Sequence, residues 1–303
     1  MPRRTRKLLV YLDQNFLSAM AKAETHHTVN RAFTEIYEIL HQGFVGEKLV
    51  VPASVLHDIE SSLDTRLKDR IATYQGYLGQ VRLRRPDEIW NRQVDAALCR
   101  FSGRPAEDPL DPSVAFLDDP DQKVERFGIR VDAHLEQFDF RASRQDTARR
   151  LEELLRRLLE KGIGFDQQLK IEEQEQRDEF LRFYFRHCRP LSNDDRQRFT
   201  AFAESPAFAG IPLPAIQARL FAAILTRKPT RAIKNSDAAD IEILSAYAPY
   251  MDLVCTDAFM AEQLSALGID RGYGFRVYCA KAESLRALKL FLEHELGQLA
   301  APK

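Results

Sequence analysis

The chain has 303 residues, 45% of them hydrophobic and 29% charged, with a formal net charge of -1. That composition describes a globular protein of one large or two small domains and excludes a polycation that would hold nucleic acid by its overall field, so any such contact needs a local basic patch. Four cysteines, Cys99, Cys188, Cys255 and Cys279, stand singly with no CxxC pair, which argues against a zinc knuckle or a disulfide framework and fits a reducing compartment.

In chain order, the first predicted element is a strand over residues 7–12 (KLLVYL), which stops on Asp13. The run is too short for a signal peptide or a membrane span, so a cytoplasmic, non-membrane protein is expected. Residues 32–42 (AFTEIYEILHQ) set Phe33, Ile36, Tyr37 and Leu40 on one helical face, and Gly43 is where that helix should stop. A second strand is predicted over residues 48–51, followed by a helix carrying HDIE. From about residue 63 to 231 the pattern changes. Residues 151–159 repeat leucine at helical spacing, with Gly162 as the stop, while GRPAEDPLDPSVAFLDDPDQ and SPAFAGIPLPAIQ read as loops. Strands return at residues 253–256 (LVCT) and 276–280 (RVYCA). Strands separated by helices predict an α/β fold with a parallel sheet flanked by helices and a mainly helical insertion: residues 1–63 and 231–303 form the α/β domain, and 64–230 the insertion.

Acids gather where these strands end. Asp13 follows the first; Asp58 and Glu60 lie past the second; Asp237 and Asp240 share a helix face at i, i+3; Asp257 closes LVCTD. In open α/β sheets ligands bind beyond the carboxyl ends of the strands, so acids from distant parts of the chain can converge there. Carboxylates within about 4–6 Å repel by roughly 4 kcal/mol a pair at an effective dielectric near 20, so a cluster must take up protons or hold a cation. An all-oxygen set suits Mg²⁺ or Mn²⁺, and phosphodiester hydrolysis is the chemistry such a centre serves. Some of these residues also have a local reading: Asp13 and Asn15 as a cap of the next helix or an Asx-turn, Asp237 and Asp257 as helix caps.

YLDQN, VVPASVLHDIE and SDAADIEILSAYAPYMDLVCTD, in that order, resemble the successive motifs of PIN-domain nucleases. The resemblance covers residues 7–63 and 231–290. It implies a Mg²⁺- or Mn²⁺-dependent endoribonuclease acting on single-stranded RNA or RNA loops, with Asp13, Glu60, Asp240 and Asp257 catalytic. Asp13, Asp237, Asp240, Asp257 and Asp58 are the metal-ligand candidates, and Asn15, Ser54 and Thr256 support them. Glu60 has the family spacing from Ser54, whereas Asp58 has the better apolar context. Phosphate contact is expected from Arg227, Lys228, Arg231 and Lys234, just before the acidic helix. Arg82, Arg84 and Arg85 and the run FLRFYFRHCR, with Phe183, Tyr184 and Phe185, offer further RNA contacts or, for the aromatics, one packed helix face. The insertion is open to three roles: clamping RNA, binding a protein partner such as an antitoxin, or covering the fold. A dimer is one oligomeric state open to the chain; a structure-specific DNA nuclease and a non-catalytic PIN-like binding module are the competing readings of function.

Overall fold

A computed structural model describes residues 6–25, 31–54, 71, 78, 81–118, 120, 149, 153–154, 156–157, 160–187, 192–226, 234 and 236–298. In chain order its elements are β1 (Leu8–Leu12), α1 (Gln14–Thr25), α2 (Arg31–Val45), β2 (Leu49–Val50), α3 (Pro86–Phe101), α4 (Pro112–Ala115), α5 (Phe165–His187), α6 (Asn193–Ala203), α7 (Pro206–Ala209), α8 (Pro212–Thr226) and α9 (Asp237–Tyr247). A 3-10 turn (Ala248–Tyr250) leads to β3 (Leu253–Cys255), α10 (Ala258–Ala266), α11 (Ile269–Tyr273), β4 (Arg276–Tyr278) and α12 (Ala282–Gln298). These elements form two compact units: Met1–Arg85 with Ala115–Gln137 and Tyr247–Lys303, and Pro86–Val114 with Phe138–Ala246.

The first unit holds a four-stranded sheet, order β2-β1-β3-β4, parallel throughout. β1 is buried along its whole length, which is why it reads as an unbroken apolar run rather than an alternating one. Leu8, Val10 and Leu12 share a core with Phe16, Leu17 and Met20 of α1, Phe33, Ile36 and Leu40 of α2, and Leu285, Leu288 and Leu292 of α12. Tyr11 points the other way, its ring 5.9 Å from that of Tyr247, whose hydroxyl donates to the Arg84 carbonyl at 3.0 Å. At the amino ends of the strands, Asp252 accepts the Leu9 N–H at 2.8 Å and pairs with Arg6 at 3.0 Å.

Three sequence expectations are corrected here. α2 does not stop at Gly43; it runs on to Val45, and the left-handed residue that ends it is Glu47, with φ of 56°. Gly43 serves close approach instead, since a Cβ there would lie 2.5 Å from Leu49 Cδ2. SPAFAGIPLPAIQ is not a loop: Ser205 caps α7 over Pro206–Ala209, and Pro212 and Pro214 occupy the first turn of α8, where an N–H is not needed for the helical ladder. Nor is GRPAEDPLDPSVAFLDDPDQ a loop throughout: Pro112–Ala115 form α4 and Phe116 pairs with Leu83 in an isolated antiparallel bridge, while Ala53 pairs with Arg82 in a parallel one.

The second unit is helical among its described residues. α5 and α8 pack on each other. Phe180, Phe202, Phe208 and Ile211 centre its core, and Gln93, fully buried, accepts the Leu213 N–H at 3.0 Å. Tyr184 belongs to this core's edge, so the packed-face reading of FLRFYFRHCR holds for Phe180 and Tyr184, whereas Phe183 is 47% exposed.

Candidate active site

The sheet order places β1 between β2 and β3, so the chain leaves β1 towards one side and returns to its other side after more than two hundred residues. This reversal makes the carboxyl ends of β1 and β3 a topological switch point, where the flanking connections diverge and leave a crevice. The residues that follow the two strands are Asp13 on one side and Thr256 and Asp257 on the other. Backbone pairing continues past both strands: the Asp13 N–H donates to the Cys255 carbonyl at 2.9 Å and the Thr256 N–H to the Tyr278 carbonyl at 3.0 Å. The ladder therefore fixes the backbone of both residues before their side chains are considered.

Asp13 is 8% exposed. Its Oδ1 accepts the backbone N–H of Asn15 at 2.8 Å, and its Oδ2 accepts the Thr256 hydroxyl at 3.0 Å across the two strands. Burial raises the Asp13 carboxyl above its ordinary value; the Asn15 N–H and the Thr256 hydroxyl act in the opposite direction, and the negative charge of Asp257 adds to the rise. Asp257 has a further local role: its Oδ1 accepts the Met260 N–H at 2.8 Å and so caps α10. The Asx-turn and capping readings are thus both realised, at Asp13 and Asp257. Neither requires a carboxylate to be buried beside the hydroxyl of a neighbouring strand.

Cys255 lies behind this pair. Burial pushes its thiol well up, and the negative charge of Asp13 pushes the same way, so the sulfur stays protonated. The available donors are consequently the hard oxygens of Asp13, Asp257 and Thr256. Sequence reading singled out LVCTD for its acid and passed over the cysteine; its signal was the alternation that puts Leu253 and Cys255 on the same buried face.

Asp237 and Asp240 belong to the other unit and lie in the first turn of α9, both buried, at 0% and 7% exposure. The Lys234 N–H donates to Asp237 Oδ2 at 2.8 Å, a bond that ties the segment before α9 to the first residue of that helix. Lys234 is exposed, and Ser54 is fully buried just past β2. Asp58, Glu60, Arg227, Lys228 and Arg231 lie outside the described residues, as does the HDIE helix. Among the described residues no three or more of His, Cys, Asp and Glu are gathered closely enough to hold a metal ion. Compared with protein-family models, curated proteins and solved structures, the chain finds no match in any of the three.

Proposed function

We propose that the chain is a PIN-like, Mg²⁺- or Mn²⁺-dependent endoribonuclease of the cytoplasm. The observation that carries this reading is Asp13: a buried carboxylate at the switch point, held by Thr256 and Asn15 and raised in pKa partly by the second carboxylate, Asp257. A buried acid beside another acid is stabilised in its ionised form by a cation, and the oxygen donors present fit a hard one. Asp13 and Asp257 would hold that ion, which when bound supplies an acidified water and charge neutralisation at the scissile phosphate. Thr256 positions the Asp13 carboxylate through its hydroxyl. The resemblance in sequence assigns Glu60 or Asp58, Asp237 and Asp240 as the remaining acids, and Arg227, Lys228, Arg231 and Lys234 as phosphate contacts.

The test is Asp13→Asn, a near-isosteric change that keeps an acceptor for the Asn15 N–H. With a labelled single-stranded RNA and Mn²⁺ or Mg²⁺, the wild type should cleave and the variant should lose at least about 100-fold, on the order of 2.7 kcal/mol of transition-state stabilisation. Circular dichroism and melting temperature without metal should stay unchanged. Cleavage undiminished in Asp13→Asn sinks the catalytic reading, and a flapped DNA cleaved in preference to RNA moves the enzyme to the DNA class. The capping of α10 by Asp257 favours one competitor, a non-catalytic PIN-like module. A Mn²⁺-induced rise in melting temperature that disappears in Asp13→Asn would rule against that competitor.

A further inference from the structure

In the helical unit, α5 and α8 border a groove of about 930 Å³, whose lining also includes Leu154. α5 contributes Glu172, Glu175, Glu179 and Arg182, at spacings of three, four and three residues that keep to one helical stripe, and α8 contributes Gln217, Phe221 and Leu225 at intervals of four. From Glu172 to Phe185 the lined stretch of α5 runs roughly 20 Å at 1.5 Å per residue, longer than a compact ligand pocket needs.

The lining is divided by chemistry. Leu181, Phe185, Phe221 and Leu225 give an apolar floor, and Leu154 beside it is 39% exposed. Along the same groove stand Glu172, Glu175, Asp178 and Glu179, of which the last three are exposed. Arg182 is the single cation among the described lining residues, and its Nε donates to the Asp178 carbonyl at 3.2 Å, back onto its own helix. An acidic lining repels phosphate and attracts lysine and arginine, so the charge selects against nucleic acid and for a basic polypeptide.

We infer that this groove docks a basic amphipathic α-helix from a protein partner. The helix lays an apolar i, i+4, i+7 stripe on Phe185, Phe221 and Leu225 and sets its lysines and arginines against Glu175, Asp178 and Glu179. The insertion is then a charge-selective docking module, a role that stands independently of any catalysis in the strand-bearing unit.

The experiment uses a phage-displayed library of random 16-residue peptides, panned on the full chain and counter-selected on the Glu175→Lys/Glu179→Lys double variant. Both substitutions sit on exposed positions of α5, and circular dichroism should confirm an unchanged fold. Enriched peptides should carry net positive charge and apolar residues at i, i+4 and i+7. As synthetic fluorescent peptides they should bind the wild type at least ten-fold more tightly than the double variant. Phe221→Ser should weaken them similarly, with added salt eroding the first difference more than the second. No enrichment, enriched peptides without positive charge, or equal binding to the double variant overturns the assignment. So does an oligouridine that competes the peptides off the groove.

Discussion

Thr256 and Asp13, 243 residues apart in sequence, are joined by a single hydroxyl-to-carboxylate hydrogen bond of 3.0 Å between the ends of adjacent parallel strands. Thr256→Val keeps the shape and removes the proton, leaving a buried carboxylate oxygen without its donor. That should lower unfolding free energy by about 1–3 kcal/mol, and Thr256→Ser should recover most of the loss. Denaturant midpoints at unchanged slope give the measurement. A valine variant as stable as the wild type would show that the bond holds nothing in place.

Gly43→Ala should destabilise, although it sits inside α2, where alanine is intrinsically favoured by about 1 kcal/mol. The added methyl would meet Leu49 Cδ2 at 2.5 Å and Leu296 Cδ1 at 2.9 Å. Overpacking of this kind costs about 1–3 kcal/mol, so after the helical gain the net effect should be a loss of up to about 2 kcal/mol, read from thermal or urea unfolding. A stabilised variant would mean that Leu49 of β2 and Leu296 of α12 give way to the methyl at little cost.

How far the chain declares its own structure is visible from particular residues. β1 and β3 are legible because strands buried on both faces leave continuous apolar runs, and Asp13 and Asp257 are legible because they break those runs at their carboxyl ends. The bridges at Ala53–Arg82 and Leu83–Phe116 are hidden, since single residue pairs among arginines give no periodicity. Gly43 misleads because glycine signals a stop by its backbone freedom and a close approach by its missing side chain, and sequence cannot say which applies. The order β2-β1-β3-β4, which brings Asp13 and Thr256 together, is a property of long-range pairing that no local pattern encodes.

Phe180 and Phe183 are neighbours in one aromatic run and should behave oppositely. Phe180 is 1% exposed, with ring centroids 4.6 Å from Tyr184 and 5.0 Å from Phe208, so Phe180→Ala should cost about 3–5 kcal/mol. Phe183→Ala, at an exposed position, should stay within about 0.5–1 kcal/mol. Equal losses in urea unfolding would contradict the division of that run into a packed face and a solvent face.

Stability should also depend on pH through Glu172. Burial holds its carboxyl above the ordinary value; the Gln168 amide, at 2.6 Å, lowers it in part, and the charge of Glu175 raises it. The folded chain therefore binds this proton more tightly than the unfolded chain does. The favourable contribution is complete below the ordinary glutamate range and is lost as pH rises through the raised folded value. Glu172→Gln should remove that loss, so its advantage over the wild type in urea midpoint should be greater at pH 8 than at pH 4. A difference that is constant across pH would refute the assignment.

The pairing of β1 with β3 also sets a schedule. At about 5–20 residues per second of synthesis, β1 leaves the ribosome on the order of 10–50 s before its partner exists. Throughout that interval a five-residue, wholly apolar strand has neither neighbour on its β3 side nor a closed core, whereas the helices between can already pack locally. Nascent chains interrupted before residue 253 should accordingly be the species that chaperones hold, and the carboxylate of Asp13 acquires its surroundings only when about the last sixth of the protein arrives.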